Sequence, residues 1–312
     1  MTKNGKTVFR QAYGMADVER KIPLKPEMTF RIGSVTKQFT AAAIMLLADQ
    51  GKLSVSGDIT QFLTDYPTRG KKISIENLLT HTSGIRSYTD IPAFESIVQT
   101  SMTVQQVIDF FKDEPALFEP GEQWAYSNSN YFLLGAIIEK ASGMPYADFM
   151  AAFIFEPLGM KSTTYEGQER DGRKRVEGYS RPRGGEFTKV RSISLTQPYA
   201  AGALVSSVDD LARWDVAITA GKLLKPETWK QVFTPFKLKS GEVTRYGYGW
   251  GIGKFNDQAV FVHGGGIDGF ASIVYRLPER DTYVAVLLNG VGSTISANHI
   301  AQTLLENADK PN

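Results

Sequence analysis

The sequence contains no cysteine among its 312 residues. Disulfides, a cysteine nucleophile and thiolate metal sites are therefore excluded. Histidine is scarce as well, because the chain has only His81, His263 and His299, far apart and without an H-E-x-x-H pattern. Since a catalytic metal in a chain without cysteine would rely on clustered histidine and carboxylate ligands, we predict no metal site and no cofactor.

A strong charge excess and long apolar runs are also missing. The formal net charge is +2, which gives no reason to expect a nucleic-acid partner. The longest strongly apolar run, residues 41–48, is too short to cross a bilayer, so no membrane span is predicted. Because residues 1–6 lack the apolar core of a signal peptide, we expect a cytoplasmic protein, or a periplasmic or secreted one if a targeting segment was removed. The sequence does not indicate an oligomeric state.

The rest of the composition is that of an ordinary globular protein, with 42% hydrophobic and 22% charged residues. Strand-like patterns occur at both ends of the chain, and helical patterns lie between them. The predicted strands are residues 7–13, 246–250, 259–263, 270–277 and 282–288. We therefore predict an α+β fold of the α/β-sandwich type, in which one antiparallel sheet is flanked by an N-terminal and a C-terminal helix and an all-helical domain is inserted.

The same patterns predict the domain boundaries. Residues 1–58 and 241–312 are expected to form a discontinuous sheet domain, closed by a helix over residues 293–307. Residues 59–240 are expected to form the mainly helical inserted domain. The active site is predicted at the interface of the two.

The first chemical motif is S-x-x-K, formed by Ser34 and Lys37. Apolar residues at Val35, Phe39 and Ala42 follow helical spacing, so a buried helix is predicted to begin at about Ser34. Residues three apart share a helix face, which brings the serine hydroxyl and the lysine amine together. Free N–H groups at the helix start favour developing negative charge, so the pair has the parts of an activated nucleophile. A capping serine and a solvated lysine would produce the same tetrad by chance.

Two later stretches carry further polar groups. Tyr126 and Asn128 form a Y-x-N motif, which alone is equally explained by a core aromatic residue and a helix cap. His263 precedes three glycines, which alone fit a strand end and a turn. Residues 264–269 also match G-x-G-x-x-G, but a nucleotide site needs a helix next, and residues 270–275 read as a strand.

Together and in this order, the S-x-x-K, Y-x-N and His-Gly-Gly motifs resemble the three motifs of the serine β-lactamase and penicillin-binding-protein superfamily. The similarity is closest to its class C β-lactamase-like branch, with the family VIII esterases and D-aminopeptidase-like proteins. Other family-like stretches are residues 30–33, 78–84, 120–121, 157–160 and 201–207. The resemblance covers nearly the whole chain and implies a β-lactamase/transpeptidase-like fold.

The resemblance also implies a role for each motif residue. Ser34 would attack a carbonyl group and become acylated. Lys37 and Tyr126 would supply the general base, with the choice between them open, and Tyr126 would protonate the leaving group. Asn128 would bond the lysine amine and the substrate amide, and His263 would act in the network around the tyrosine.

Substrate binding is expected at the glycines that follow the histidine. By motif position, the backbone N–H groups of Ser34 and Gly266 would form the oxyanion hole, and Gly265 and Gly266 would let the substrate backbone approach closely. The third motif departs from the Lys-Thr-Gly of class C β-lactamases, whose lysine helps to bind a substrate carboxylate. His263 is mostly neutral at pH 7 and supplies less fixed charge.

A second departure lies at the start of the chain. The resembled family has a helix and another strand before the equivalent of Thr7, so we expect truncation, or a sheet edge that is either left uncovered or covered by a partner. Substrate specificity is expected to depend on loops at residues 87–94 and 167–198.

The predicted function is therefore that of a serine hydrolase which acts, without a metal, on a small-molecule ester, amide, peptide or β-lactam. Esters and D-amino-acid peptides rank above β-lactams because of His263. The alternative is a β-lactamase or a D-Ala-D-Ala carboxypeptidase. A further alternative, from a different class, is a non-catalytic, penicillin-binding-like sensor or scaffold.

Overall fold

A computed structural model of the chain describes residues 1–166, 175–182, 185–191 and 193–308. Its strands are β1 Thr2–Lys3, β2 Lys6–Thr7, β3 Met15–Asp17, β4 Ile22–Pro23, β5 Phe30–Arg31, β6 Thr164–Tyr165, β7 Tyr179–Ser180, β8 Thr188–Lys189, β9 Leu204–Ser206, β10 Gly251–Phe255, β11 Gln258–Ile267, β12 Phe270–Leu277, β13 Thr282–Leu288 and β14 Gly290–Val291. Its α-helices are α1 Thr36–Asp49, α2 Ile75–Leu79, α3 Phe94–Ile97, α4 Val104–Phe111, α5 Asn128–Ser142, α6 Tyr146–Met150, α7 Tyr199–Gly202, α8 Val208–Thr219, α9 Pro226–Val232 and α10 Ala297–Asn307. Within the described ranges, no helix is both long and apolar enough to cross a membrane.

The main sheet joins the two ends of the chain. Its strand order is β10-β11-β12-β13-β1-β2, and each strand is antiparallel to its neighbours. Strand β13 pairs with β1, so the first residues of the chain continue a sheet whose other strands come from its C-terminal part. This is the predicted α+β fold, a β-lactamase/transpeptidase-like arrangement of antiparallel sheet and helices.

The C-terminal helix covers one face of this sheet. Alternate residues of β12 point to opposite faces, so Ile273, Tyr275 and Leu277 share a core with Leu305 of α10, whereas Val274 belongs to the core on the other side. The helix begins at Ala297 with Ser296 as its N-cap, four residues later than predicted.

The larger core holds the helix that carries the S-x-x-K motif. Nearly every residue of α1 is buried, and the helix packs against α5, α7 and α9. A helix that is apolar on all sides belongs in the interior of a large protein. The short 3₁₀ turn before it, Gly33–Val35, packs against strands β11 and β12. The nucleophile motif is thereby fixed between the sheet and the helices.

Two predicted strands near the ends of the sheet are wrong. The expected strand at residues 7–13 is limited to Lys6–Thr7, and Val8, Phe9 and Tyr13 are exposed, because no neighbouring strand in the described residues pairs with them. The expected strand at residues 246–250 is irregular, and β10 begins directly after it. Gly249 has φ of +75°, and a Cβ atom there would lie 2.7 Å from the carbonyl oxygen of Lys37. This segment is shaped by close packing on α1 rather than by strand pairing.

The predicted division into a sheet domain and a helical domain stays a prediction. The larger core contains residues from both parts, such as Val274 and Tyr283 with Phe132 and Trp214. Helix α8, which the sequence pattern places in the helical part, packs against strand β13. The two predicted parts therefore share one core along this boundary.

Candidate active site

Ser34 lies in the middle of the 3₁₀ turn that leads into α1 and is half-buried. The turn is possible because Gly33 has φ of +50°, a conformation that favours glycine. A Cβ atom on Gly33 would lie 3.0 Å from the backbone nitrogen of Gly266, so the turn and strand β11 are in close contact. The serine hydroxyl is thus presented beside an exposed strand edge.

Lys37 is completely buried one turn after the serine. Its Nζ lies 3.1 Å from Ser34 Oγ, 2.9 Å from Asn128 Oδ1 and 2.8 Å from the carbonyl oxygen of Ala201. Within the described residues, no carboxylate forms an ion pair with this amine. Burial lowers the pKa of Lys37 well below its usual value, because desolvation disfavours the charged ammonium.

Tyr126 lies on the loop before α5, with its ring 4.9 Å from the Lys37 amine. Its hydroxyl forms a hydrogen bond with Ser34, which lowers the pKa of the phenol by less than burial raises it. The net effect is a pKa above the usual value for tyrosine, so this side chain keeps its proton at neutral pH. Burial therefore shifts the two pKa values in opposite directions, downward for the lysine and upward for the tyrosine.

Asn128 is the first residue of α5, with Ser127 as N-cap. Its Oδ1 accepts from Lys37, its Nδ2 donates to Thr89 Oγ1 at 3.2 Å, and its backbone N–H donates to Ser87 Oγ at 3.0 Å. These bonds define the orientation of the amide, since its oxygen must face the amine. The sequence expectation that this residue bonds the lysine is consistent with the geometry.

His263 is buried on β11 beside the tyrosine but does not hydrogen-bond to it. Its Nδ1 lies 2.7 Å from the carbonyl oxygen of Gly264, and its Nε2 lies 2.8 Å from the hydroxyl of Tyr246. Because a carbonyl only accepts, Nδ1 carries the proton and Nε2 accepts from Tyr246. Burial, and secondarily the charge of Lys37, lower the pKa of His263 to about 3, so the ring is neutral. Its ring centre is 6.3 Å from that of Tyr126.

The two glycines predicted to bind substrate have different surroundings. A Cβ atom on Gly265 would collide with the carbonyl oxygen of Ile32 and the hydroxyl of Ser272, which itself donates to Ile32 at 2.7 Å. Nothing lies within 4 Å of the corresponding position on Gly266, which lines a cavity with Ser34. Strand β10 pairs with β11 only as far as Val262, so the glycine segment has one open edge. The absence of a side chain on Gly265 therefore allows strand β11 to pack closely against Ile32, whereas Gly266 faces the cavity.

Two depressions lie beside these residues. The smaller, about 250 Å³, contains Ser34 and Asn128 and is mostly apolar. Its other lining residues include Tyr88, Phe94, Val98, Ile193, Pro198 and Ile267, with Asp268 as the charged residue among those described. Parts of both predicted specificity loops contribute, whereas residues 167–174, 183–184 and 192 of the second loop lie outside the described residues.

The larger depression, about 900 Å³, lies on the side of Tyr126 and His263. It is more polar, and Glu122, Glu242 and Arg245 line it. Across the described ranges, no group of three or more metal-binding side chains is arranged to hold an ion. The site therefore offers a hydroxyl, an amine and a phenol between a small apolar cavity and a wide cleft that three charged side chains line.

Sequence reasoning missed two parts of this site. The Ala201 carbonyl that holds Lys37 belongs to the family-like stretch 201–207, and a backbone group leaves no residue-type signal there. Tyr246, the partner of His263, falls in a stretch that the sequence pattern predicts as a strand, although its place in a Tyr-Gly-Tyr-Gly-Trp run signals an unusual backbone.

Known proteins resemble this chain over nearly its whole length. A family model described as Beta-lactamase matches residues 1–308. Penicillin-binding protein 4* of Bacillus subtilis is 31% identical over 302 residues, and the match covers 90% of this chain and 65% of that protein. Protein flp of Staphylococcus aureus is 28% identical over 297 residues, covering 93% of this chain and 58% of that protein. The chain thus spans less than two thirds of the length of these curated relatives.

Solved structures show the same relationship. The octameric penicillin-binding protein homologue from Pyrococcus abyssi superimposes with a TM-score of 0.86 and 31% identity, covering 98% of this chain and 71% of that one. The D-amino acid amidase from Ochrobactrum anthropi SV3, complexed with L-phenylalanine amide, gives a TM-score of 0.79 and 26% identity, covering 96% of this chain and 89% of that one.

Proposed function

Because the chain belongs to the β-lactamase family, we propose that it is a serine hydrolase that forms an acyl-enzyme on Ser34 and hydrolyses small esters or amides. The observation that supports this most strongly is the buried Lys37 amine, 3.1 Å from the serine hydroxyl and without a carboxylate partner in the described residues. A buried lysine without an ion pair is unfavourable for folding, and its lowered pKa suits a general base.

The hydrogen bonds around the amine define its role. A neutral amine has two N–H groups and one lone pair. The carbonyl of Ala201 and the Oδ1 of Asn128 can only accept, so they take the two N–H groups. In the neutral state the lone pair would then face Ser34 Oγ, 3.1 Å away, and could accept the hydroxyl proton. This arrangement supports the proposal that Lys37 is the base for attack and that protonated Tyr126 is the acid.

The reaction follows from these assignments. The Ser34 oxygen bonds to the substrate carbonyl carbon while its proton passes to Lys37. The backbone N–H groups of Ser34 and Gly266 stabilise the oxyanion. The bond to the leaving alcohol or amine then breaks, Tyr126 protonates that group, and the proton on Lys37 returns to Tyr126. Water then attacks the acyl carbon while Lys37 takes its proton, the bond between that carbon and Ser34 Oγ breaks, and Lys37 returns the proton to Oγ as the carboxylic acid leaves.

The two depressions indicate how a substrate lies. The cavity of about 250 Å³ contains Ser34 and suits a small apolar acyl group, neutral or cationic, because Asp268 is its charged lining residue among those described. The wide cleft lies beside Tyr126, the proposed proton donor, and would receive the leaving group. The similarity to a D-amino acid amidase supports amides of apolar amino acids as the first amides to test.

A second candidate is hydrolysis of a peptide or β-lactam whose leaving group carries a carboxylate. One observation favours it: Arg245 lines the wide cleft together with His263 and Gly264. Neutral His263 provides no fixed charge for a carboxylate, so binding would depend on the arginine. In that case Arg245→Ala raises KM for such substrates and leaves neutral esters unaffected, as steady-state kinetics would show.

The test of the main proposal is hydrolysis of a short-chain p-nitrophenyl ester by wild type, Ser34→Ala and the control Ser56→Ala. Ser56 is exposed and lies outside both depressions. We expect Ser34→Ala to lose turnover by about 10³-fold or more, with an acyl adduct detected by intact mass only in wild type and the control. Turnover that persists in Ser34→Ala would exclude this serine as nucleophile. An inactive wild type without adduct would favour a non-catalytic sensor or scaffold.

A further inference from the structure

His81 lies behind the proposed acid, in the segment after helix α2, and is completely buried. Its ring is surrounded by the aromatic rings of Tyr126, Tyr246, Tyr131 and Trp124, with centroid distances of 4.4, 4.8, 5.1 and 6.3 Å. No step of the proposed reaction uses this ring. A buried titratable group beside the site therefore has no assigned task.

His81 accepts two hydrogen bonds from the loop before α5. The backbone N–H of Ser127 donates to its Nδ1 at 3.2 Å, and the backbone N–H of Ala125 donates to its carbonyl oxygen at 3.0 Å. The two contacts lie on either side of Tyr126. One residue thus holds both flanks of the residue that carries the phenol.

Neighbouring bonds fasten the same two segments together. The N–H of Gly121 donates to the carbonyl of Thr82 at 2.7 Å, and Ser83 Oγ donates to Asn130 Oδ1 at 2.6 Å. These bonds join the segment after α2 to the chain before α5 and to the first turn of α5 itself. They hold together the two segments that the His81 contacts also connect.

The local geometry of His81 is unusual in two ways. Its φ is +59°, in the left-handed region that few residues other than glycine adopt, although histidine is found there more often than most, as are asparagine and aspartate. Because Nδ1 accepts from Ser127, the neutral ring carries its proton on Nε2, and that atom has no hydrogen-bond partner in the described residues. Burial lowers the pKa of His81, which keeps the ring neutral. Such strain is common at functional sites.

We propose that His81 positions the loop that carries Tyr126 and Asn128. By accepting the Ser127 N–H and the Ala125 N–H, it sets the distance of the phenol from Ser34 and the start of α5 from Lys37. The histidine is a positioning residue, since it touches neither the substrate nor the reacting atoms. This inference rests on the proposed hydrolase function and extends it to a residue that acts through its neighbours.

Two substitutions distinguish the effect of losing the Nδ1 acceptor from the effect of losing the aromatic ring. His81→Phe keeps an aromatic ring but lacks the Nδ1 acceptor. His81→Asn lacks the ring, but its Oδ1 stands the same number of bonds from the backbone, and asparagine tolerates positive φ. Leu305→Ala is the control for a general loss of stability, because Leu305 belongs to the separate core under the C-terminal helix.

For ester hydrolysis, His81→Phe is expected to lower kcat by about 10²-fold with little change in KM, since a displacement near 1 Å of a catalytic group has that effect. His81→Asn is expected to recover at least tenfold of the loss. Leu305→Ala is expected to lower the melting temperature and leave kcat unchanged. Equal kcat losses in both His81 variants, or wild-type kcat in His81→Phe, would overturn the proposal.

Amide hydrogen exchange followed by NMR gives a readout that does not depend on turnover. In His81→Phe the Ser127 amide loses its acceptor and should exchange faster, whereas the Ala125 amide keeps the backbone carbonyl and should change less. His81→Asn should restore protection of Ser127. If the wild type lacks Ser34-dependent turnover, the hydrolase proposal fails, while unchanged Ser127 exchange in His81→Phe refutes the positioning role itself.

Discussion

At the scale of single residues, the site depends on an amine kept out of water. Lys37 is one of the largest fully buried side chains, and its three contacts are to uncharged oxygens. Desolvation of the ammonium is therefore not offset by an opposite charge. Burial therefore favours the neutral amine, and it makes stability depend on pH.

The first prediction concerns that dependence. In the unfolded chain a lysine has a pKa of about 10.4, whereas burial lowers the pKa of Lys37 in the folded chain. Between the two values the unfolded chain holds the proton and the folded chain does not, so the free energy of unfolding rises with pH. This contribution is complete above the unfolded pKa and is lost as pH falls to the folded pKa.

Lys37→Met removes the titrating group and fills its space. We expect the variant to be inactive, and its melting temperature relative to wild type to decline from about pH 7 to about pH 10. Calorimetric scans of both proteins across that range provide the measurement. The other titrating groups are common to both proteins, so their effects cancel in the difference between the two melting temperatures. A constant difference in melting temperature would mean that Lys37 titrates normally.

The second prediction concerns His263. Its pKa of about 3 makes it neutral throughout the range in which most hydrolases are assayed. The acid limb of the pH–rate profile should therefore report Lys37 and not the histidine. We expect His263→Asn to lower kcat through the lost bond to Tyr246, without moving the apparent pKa of that limb. Profiles of kcat against pH for both proteins provide the measurement, and loss of the acid limb in the variant would contradict it.

At the scale of elements, strand β11 pairs with β10 along its first half, and its second half lies at the candidate site with one open edge. Up to Val262 it pairs with β10 on one side, and from His263 onward that edge is open. The glycine segment is held on its other edge by β12 and packs against the turn that contains Ser34. The sheet thereby sets the position of the backbone N–H group of Gly266, which is proposed to stabilise the oxyanion.

The third prediction compares two adjacent glycines on this strand. Gly265→Ala places a methyl group against the Ile32 carbonyl and the Ser272 hydroxyl, so the strand must move away from the turn. Overpacking of this kind costs about 1–3 kcal/mol of unfolding free energy, and activity should fall with it. Gly266→Ala meets no atom within 4 Å and should keep wild-type stability.

Denaturant unfolding of both glycine variants provides the measurement. Gly266→Ala is the control for the general effect of replacing glycine in a strand, because it lies one residue away on the same open edge. If the two variants unfold at the same denaturant concentration, the close packing of β11 on the turn is not a stabilising contact.

At the scale of the whole molecule, the candidate site and the C-terminal helix adjoin different hydrophobic cores. The residues around Ser34, Lys37 and His81 adjoin the larger core, whereas α10 and one face of the sheet form a separate core. Changes under α10 should therefore alter stability without moving the catalytic groups.

The fourth prediction follows from that separation. Leu305→Ala leaves a cavity beneath α10 and should lower the free energy of unfolding by about 2–5 kcal/mol. At temperatures where the variant stays folded, kcat and KM should equal those of wild type. Urea unfolding and steady-state kinetics at the same temperature test both parts, and a large fall in kcat would show that the two cores are coupled.

Several features of this protein are determined by the sequence alone, because they depend on short spacings. Residues three apart on a helix share a face, so the spacing predicts that Ser34 and Lys37 lie together, and they do. The order of the three motifs indicates the family, and the strand patterns of residues 270–277 and 282–288 predict the sheet that carries the third motif. The absence of cysteine excludes thiolate chemistry by composition alone.

Only the tertiary structure decided which partners surround these groups. The Ala201 carbonyl reaches Lys37 across 164 positions of sequence, and the Tyr246 hydroxyl makes His263 an acceptor at Nε2. The same packing turned residues 246–250 away from a strand and placed His81 behind Tyr126. Local patterns encode helices and strands, but burial depends on contacts between distant segments. The protonation of the lysine and the histidine is therefore a property of the folded chain.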